Sequence, residues 1–117
     1  MEKFLGKHIL AEFWDCDVDF LSDKEKIESA MLEAAKNAKV TIVEKCFHTF
    51  SPYGVSGVVV IAESHLAIHT WPEYKYAAVD FFTCSHNCNT EAAINFLKQK
   101  FNAKNVSSQM IKRGEIR

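Results

Sequence analysis

Several things are missing from this chain of 117 residues, and each absence removes a class of partner or architecture. There is no charge excess of either sign. Lys and Arg number 14 against 15 Asp and Glu, a formal net of −1, so the basic surplus that suits nucleic acid or an anionic membrane is lacking. No apolar run approaches the ~20 residues that span a bilayer, and Met1-Glu2-Lys3-Phe4-Leu5-Gly6 holds no sustained apolar segment. The expectation is a cytoplasmic protein with a small-molecule partner, and with neither nucleic acid nor membrane. Disulfides are not called for either. The four cysteines, at 16, 46, 84 and 88, suffice for two bridges, yet a cytosolic chain with a full core neither needs nor easily keeps them, so free thiols are expected. The length fits one domain over residues 1–117, whose single core buries somewhat under ~70% of the unfolded surface.

What is present alternates. Lys7 to Trp14 sets Ile9, Ala11 and Phe13 on one face and a mixed set of His8, Leu10, Glu12 and Trp14 on the other, a face suited to a second sheet or to a site. Ser22 and Glu25 have capping-box spacing ahead of Ile27, Ala30, Met31, Ala34, Ala35 and Ala38, which predicts an amphipathic helix with Lys36 and Lys39 in its last turns. From Val40 to Phe50 a strand is predicted, with Ile42, Cys46, His48 and Phe50 on one face and Val43 and Phe47 on the other. Pro52 and Gly54 break it. Tyr76 to Cys84 alternates again, Thr90 is the expected cap of a second helix through Ile94, Leu97 and Phe101, and Val106 to Ile111 is a last strand before a frayed basic tail. Strands outnumber helices and short breaks join neighbours, so the expected fold is α+β, an antiparallel sheet with both helices on one face. The other face then requires a cover, and a second copy of the sheet supplies it, giving an α/β/β/α sandwich homodimer.

The chain is organised around Ser56 to Glu73. Val58 to Ala62 is a β-branched run suited to a strand covered on both faces, and it ends on Glu63-Ser64-His65 before a second run, Leu66 to Trp71. A hydroxyl is thus held at the junction of two rigid elements. In the second run Ala67, His69 and Trp71 share one face, and Leu66, Ile68 and Thr70 the other. A hydrolase would use Ser64 as nucleophile, His65 or His69 as base and Asp80 as orienting acid, but no Gly-x-Ser-x-Gly elbow surrounds Ser64. A metal site would use His65 and His69, which a strand holds ~13 Å apart, or Cys84, His86 and Cys88, a cluster with no second half. A strand-end thiol followed by a polar turn is the plainer reading of the latter, and no metal is expected. His48-Thr49-Phe50 and His69-Thr70-Trp71 share a pattern, each with a proline nearby, too short to count as a repeat.

The residues Gly6-Lys7-His8, Ala11-Glu12-Phe13, Phe47-His48, Pro52 to Val59, Glu63 to Leu66, Ile68 to Glu73, Tyr76 to Asp80 and Phe82-Thr83-Cys84 resemble the short prokaryotic S-adenosylmethionine decarboxylases, over nearly the whole chain. The resemblance implies a proenzyme that cuts itself between Glu63 and Ser64 and turns Ser64 into a covalent pyruvoyl group. The products are chains of 63 and, from 117 − 63, 54 residues that stay associated. It implies that His69 removes a proton during processing, that Ser56 helps hold the tetrahedral intermediate, and that Cys84 is the proton donor in turnover. Phe50 matches the residue that stacks on adenine and Glu73 the carboxylate for the ribose hydroxyls, with Trp71 a further aromatic face for the substrate. The product implied is the aminopropyl donor of spermidine synthesis. Departures are few: Thr49 replaces a usual basic residue, Ala67 a usual threonine, and the tail after Arg113-Gly114 is short. Some members of the wider family act instead on L-ornithine or L-arginine, which stands as the alternative.

Overall fold

The computed structural model describes residues 3–85 and 87–117. In chain order the elements are β1 (Phe4–Trp14), α1 (Val18–Leu21), α2 (Lys24–Asn37), β2 (Thr41–Thr49), β3 (Val55–Ala62), β4 (Ser64–Trp71), a 3-10 turn (Pro72–Tyr74), β5 (Tyr76–Thr83), α3 (Thr90–Phe101) and β6 (Asn105–Glu115). The strands make one antiparallel sheet in the order β2-β3-β4-β5-β1-β6. The four consecutive strands β2 to β5 lie side by side in three hairpin-like pairs, and β1 inserts between β5 and β6.

Alternation decides what each face carries. Ala11 and Phe13, Val59 and Ile61, Leu66 and Ile68, and Val79 and Phe81 point into one core with Ile27, Met31, Leu97 and Phe101 of the helices. Both long helices therefore lie on one face of the sheet, as the patterning predicts. The opposite face is open and carries His8, Glu12, Trp14, Ser56, Val60, His65, His69, Trp71, Asp80 and Phe82. Val60 is 39% exposed, so β3 is not covered on both faces in one chain, as its unbroken β-branched run suggests. Its residues alternate like those of the other strands, with Val59 and Ile61 buried and Val60 and Ala62 exposed.

Local chemistry shifts several boundaries. The N-cap of α2 is Asp23, which accepts from the amides of Glu25 and Lys26, and not Ser22, which caps the end of α1 and donates its hydroxyl to the Val18 carbonyl. The Asp side chain one residue on takes the cap because Ser22 is already committed to the preceding turn. Lys36 lies in the last turn of α2, whereas Lys39 lies beyond its end at φ 64°. Asn89, not Thr90, caps α3, accepting from Ala92 N at 3.0 Å. A bulge at Val43 lets Ile42 pair with Ile61 and Glu44 with Val60, so Ile42 shares the helix-side face with Phe47 instead of the face of Cys46 and His48. Past the bulge, Phe47 lies over Gly57, where any Cβ would come within 2.0 Å of the ring. The basic tail is not frayed. It pairs along β1 as far as Phe4 opposite Glu115.

Candidate active site

Strands β3 and β4 form a hairpin with a two-residue connection, Ala62-Glu63, because Ile61 pairs with Ser64. Ser64 is the first residue of β4 and has φ 135°, a backbone region that residues with a side chain rarely occupy. Its hydroxyl is half-exposed and lies 3.6 Å from the Cys84 thiol, which is exposed just past the end of β5. Register explains the meeting, since Ser64 is the cross-strand partner of Thr83. After Cys84 comes a polar turn in which Ser85 N donates to Thr83 Oγ1 and Asn87 N to Ser85 Oγ. A pocket of about 250 Å³ opens beside the thiol, lined by Phe4, Gly6, Lys7, Thr83, Cys84 and Met110 among others. His86 lies outside the described residues, and so does any metal cluster that includes it.

A second group of site candidates collects at the other end of the same hairpin. Ser56 Oγ lies 2.7 Å from His69 Nδ1, and His48 and His69 are the two cross-strand neighbours of Ser56. The two His-Thr-aromatic segments thus flank one serine. Buried Thr70 sets this register, its hydroxyl accepting from Val55 N and donating to the Leu21 carbonyl, both at 2.9 Å. The short helix α1, which has no periodic signature in the sequence, supplies that carbonyl. Phe50, half exposed, follows β2 with its ring 4.6 Å from that of His48. Trp71 packs against His69 and Tyr76 at 6.1 and 5.5 Å, and Glu73 is exposed on the 3-10 turn.

One protomer therefore does not bring the expected site residues together. Ser64 and Cys84 form one half; Ser56, His69, Phe50, Trp71 and Glu73 form the other. Five residue steps along the strand separate Ser64 from His69, a span of ~16 Å. The hydrolase arrangement is not formed either. Asp80 Oδ1 does lie 3.0 Å from His65 Nε2, but the Ser64 hydroxyl meets Cys84 and no histidine among the described residues. The partners of two residues on the mixed face of β1 are not readable in the sequence: His8 meets Asp80 and Arg113 of β6, and Glu12 accepts from the Tyr76 hydroxyl.

Burial pushes the thiols of Cys16 and Cys88 up, the first to about 11 with help from the Asp15 charge; at Cys88 a Thr83 hydrogen bond and Lys7 pull the other way. At both, burial disfavours the thiolate that would act as a nucleophile.

Fold and hydroxyl–thiol pair together define a small α+β protein with a serine hydroxyl held beside a thiol at the start of a hairpin strand. A family described as S-adenosylmethionine decarboxylase matches residues 7–114. Among curated relatives, the S-adenosylmethionine decarboxylase proenzyme of Acidithiobacillus ferrooxidans is 57% identical over 112 residues, covering 96% of this chain and 84% of its own. That of Pelotomaculum thermopropionicum is 55% identical over 114 residues, covering 97% and 90%. The crystal structure of the adenosylmethionine decarboxylase from Aquifex aeolicus superposes with a TM-score of 0.90 at 35% identity, covering 99% of this chain and 96% of that one. A Trypanosoma brucei structure shares the fold at 14% identity and a TM-score of 0.66, covering 87% of this chain and 44% of its own. The chain belongs to the S-adenosylmethionine decarboxylase family.

Proposed function

We propose that this chain is a self-processing carboxy-lyase that cuts itself between Glu63 and Ser64 and then decarboxylates S-adenosylmethionine, supplying the aminopropyl donor of polyamine synthesis. The observation that carries the reading is the Ser64 hydroxyl, held at a strained hairpin position 3.6 Å from the Cys84 thiol. Relatives at 55–57% identity named as proenzymes of this decarboxylase support it, and favour S-adenosylmethionine over ornithine or arginine.

The residues fit a group made from the chain itself. Ser64 Oγ is tethered next to the Glu63 carbonyl, so attack on it needs no external reagent and no translational entropy. The amide nitrogen leaves and an ester joins Ser64 to Glu63. Removal of the Ser64 α-proton then expels the Glu63 carboxylate, and hydrolysis of the remaining dehydroalanine releases ammonia and leaves a pyruvoyl group at position 64. When present, that ketone condenses with the substrate amine and draws off the electron pair freed with carbon dioxide.

The chain's own residues do the rest. His69, its Nδ1 engaged with Ser56, presents its other nitrogen as the base that takes the α-proton, and Ser56 supports the tetrahedral oxyanion. The Cys84 thiol returns a proton to the substrate carbon. Phe50 and Trp71 offer aromatic faces to the adenine and the sulfonium charge, and Glu73 accepts from the ribose hydroxyls. Because the two halves lie ~16 Å apart in one chain, His69 acts on the Ser64 of a second copy. Two-fold stacking of the open faces brings each half-site to its complement and covers Val60, Trp71 and Trp14. The working enzyme is a cytoplasmic homodimer of cleaved protomers.

Intact mass tests the reading. The purified protein is expected as chains of 63 and 54 residues (117 − 63 = 54), the second blocked at its N-terminus, while Ser64→Ala stays whole. An active protein with an uncut chain would overturn it.

A further inference from the structure

Four strands meet at a polar cluster on the open face that the proposed chemistry leaves idle. Asp80 Oδ1 of β5 lies 3.0 Å from Nε2 of His8 on β1 and 3.0 Å from Nε2 of His65 on β4. Arg113 Nη1 of β6 lies 3.1 Å from His8 Nδ1. A guanidinium has only donors, so His8 Nδ1 accepts, the ring carries its proton on Nε2, and that proton is donated to Asp80. The Phe82 ring packs against both histidines and the arginine, 5.3 Å from the His8 ring, 6.0 Å from the His65 ring and 5.1 Å from the Arg113 guanidinium.

The three ligand-type atoms lie within 4.8 Å of one another, close enough for a metal ion. Arg113 argues against one. Metal at His8 Nε2 requires the ring proton on Nδ1, where a guanidinium N–H already points, and sets a dication beside a fixed cation.

The place of the cluster in the chain suggests a different task. His65 follows Ser64, so once the chain is cut its amide carries the new chain end. That end is tied to β5 by backbone pairing at Ser64 and His65 and by the His65 side chain. His8 belongs to the 1–63 fragment, whereas His65, Asp80 and Arg113 belong to the 64–117 fragment. One carboxylate oxygen therefore grips both sides of the cut.

We propose that His8, Asp80 and His65 form a clamp that positions the residue-64 end created by self-cleavage, with Arg113 fixing the His8 tautomer. The inference rests on the self-cleavage proposed above. Strand ends fray when only their own pairing holds them. A side-chain anchor one residue from the end restricts that motion and keeps position 64 facing Cys84. These are positioning residues, since none of their hydrogen bonds reaches Ser64 or Cys84.

The test compares Asp80→Ala, which removes the shared acceptor, with Asp80→Asn, which keeps an oxygen there. Both are expected to cut themselves to completion. In cut Asp80→Ala, hydrogen exchange of amides 65 to 67 rises about tenfold or more while the rest of the sheet is unchanged. Its kcat falls about tenfold or more with KM within about threefold, and alanine at position 64 accumulates faster per turnover, because a misaligned end takes the proton meant for substrate. Asp80→Asn recovers most of each loss. If Asp80→Ala does not fold, His65→Ala and His65→Gln give the same comparison from the other side of the bond. Exchange at 65 to 67, kcat and position 64 all as in the parent, or a rise in exchange spread evenly over the sheet, overturns the clamp. An uncut parent chain instead overturns the self-cleavage reading, and intact mass separates the two failures.

Discussion

Ser56 holds His69 by a 2.7 Å contact at the end of the β3–β4 hairpin remote from Ser64. The contact fixes the imidazole where it has no access to the hydroxyl of its own chain. For His69 to take the Ser64 α-proton, as the proposed processing asks, it would act from a second copy, which carries the same imidazole on the same open face. The split is thus a physical argument for association, stronger than the exposure of apolar side chains alone.

Complementation follows from this arrangement. His69→Ala is expected to stop after the ester forms, in a state that hydroxylamine cuts, and Ser64→Ala is expected to stay whole. Coexpressed, the two chains pair, and the His69→Ala chain, which retains Ser64, receives an imidazole from its partner and is cut. Mass spectrometry of the mixture reads this out. Normal cleavage of His69→Ala alone, or no cleavage in the mixture, contradicts the shared site.

Cys84→Ser separates processing from turnover. A hydroxyl is a much weaker acid than a thiol, so the cut is expected to proceed nearly as before while kcat falls by about 10²-fold or more. Protons that miss the substrate carbon convert position 64 to alanine, which intact mass detects. Unchanged turnover with no such product removes Cys84 from the chemistry.

Thr70→Val tests the scaffold of the second half-site. The hydroxyl joins Val55 N to the Leu21 carbonyl, and an isosteric methyl strands both groups. The expected loss is about 2–6 kcal/mol, from roughly 1–3 for each of the two unsatisfied buried groups, or a fall in Tm of roughly 10–20 °C. Slower self-cleavage accompanies it, because Ser56 and His69 adjoin the two bonded residues. Denaturant unfolding and the rate of the cut measure the two effects, and a parent-like midpoint would show that the hydroxyl carries no load.

Much of this was legible in the sequence, and the misses have physical causes. The faces of β1, β4 and β5 follow from two-residue alternation, as does the presence of both long helices on one side. Ile42 was misplaced because a bulge inserts one residue without any sequence mark at Val43, and a single insertion reverses facing beyond it. Ser22 and Asp23 are both good caps, and only the turn of α1 decides between them. At the site, the residue types were readable but their grouping was not. Spacing along one strand shows that Ser64 and His69 are far apart, whereas the meeting of Ser64 with Cys84, and of Asp80 with two histidines, depends on the register of strands distant in sequence.

Tyr76 gives an alkaline signature. Burial first, then the hydrogen bond to Glu12 and the Glu12 charge, push its phenol up from 10.0 to about 12. A group raised in the folded state contributes stability that is complete below the unfolded value, so this contribution is present below about pH 10 and is lost as pH rises through about 12. Tyr76→Phe is expected to lose less stability across that window than the parent, with phenolate absorbance locating the titration. Parallel stability curves for the two proteins would show that Tyr76 does not titrate in this way.

Substrate choice is decided away from the reacting carbon, because chemistry at a ketone is the same for any α-amino acid. S-adenosylmethionine brings an adenine to stack, ribose hydroxyls to bond and a sulfonium charge that aromatic faces attract. The half-site with Phe50, Trp71 and Glu73 offers two aromatic rings and one carboxylate, all exposed. Ornithine or arginine would use the carboxylate for a distal cation and leave both rings without work. Release of labelled carbon dioxide from the three substrates in parallel is expected to favour S-adenosylmethionine. Phe50→Ala is expected to raise its KM by about tenfold or more, on the scale of about 1–3 kcal/mol for a stacked base, while leaving self-cleavage intact. Preference for either amino acid, or indifference of S-adenosylmethionine turnover to loss of the Phe50 ring, would reassign the substrate while leaving the cut at Glu63-Ser64 in place.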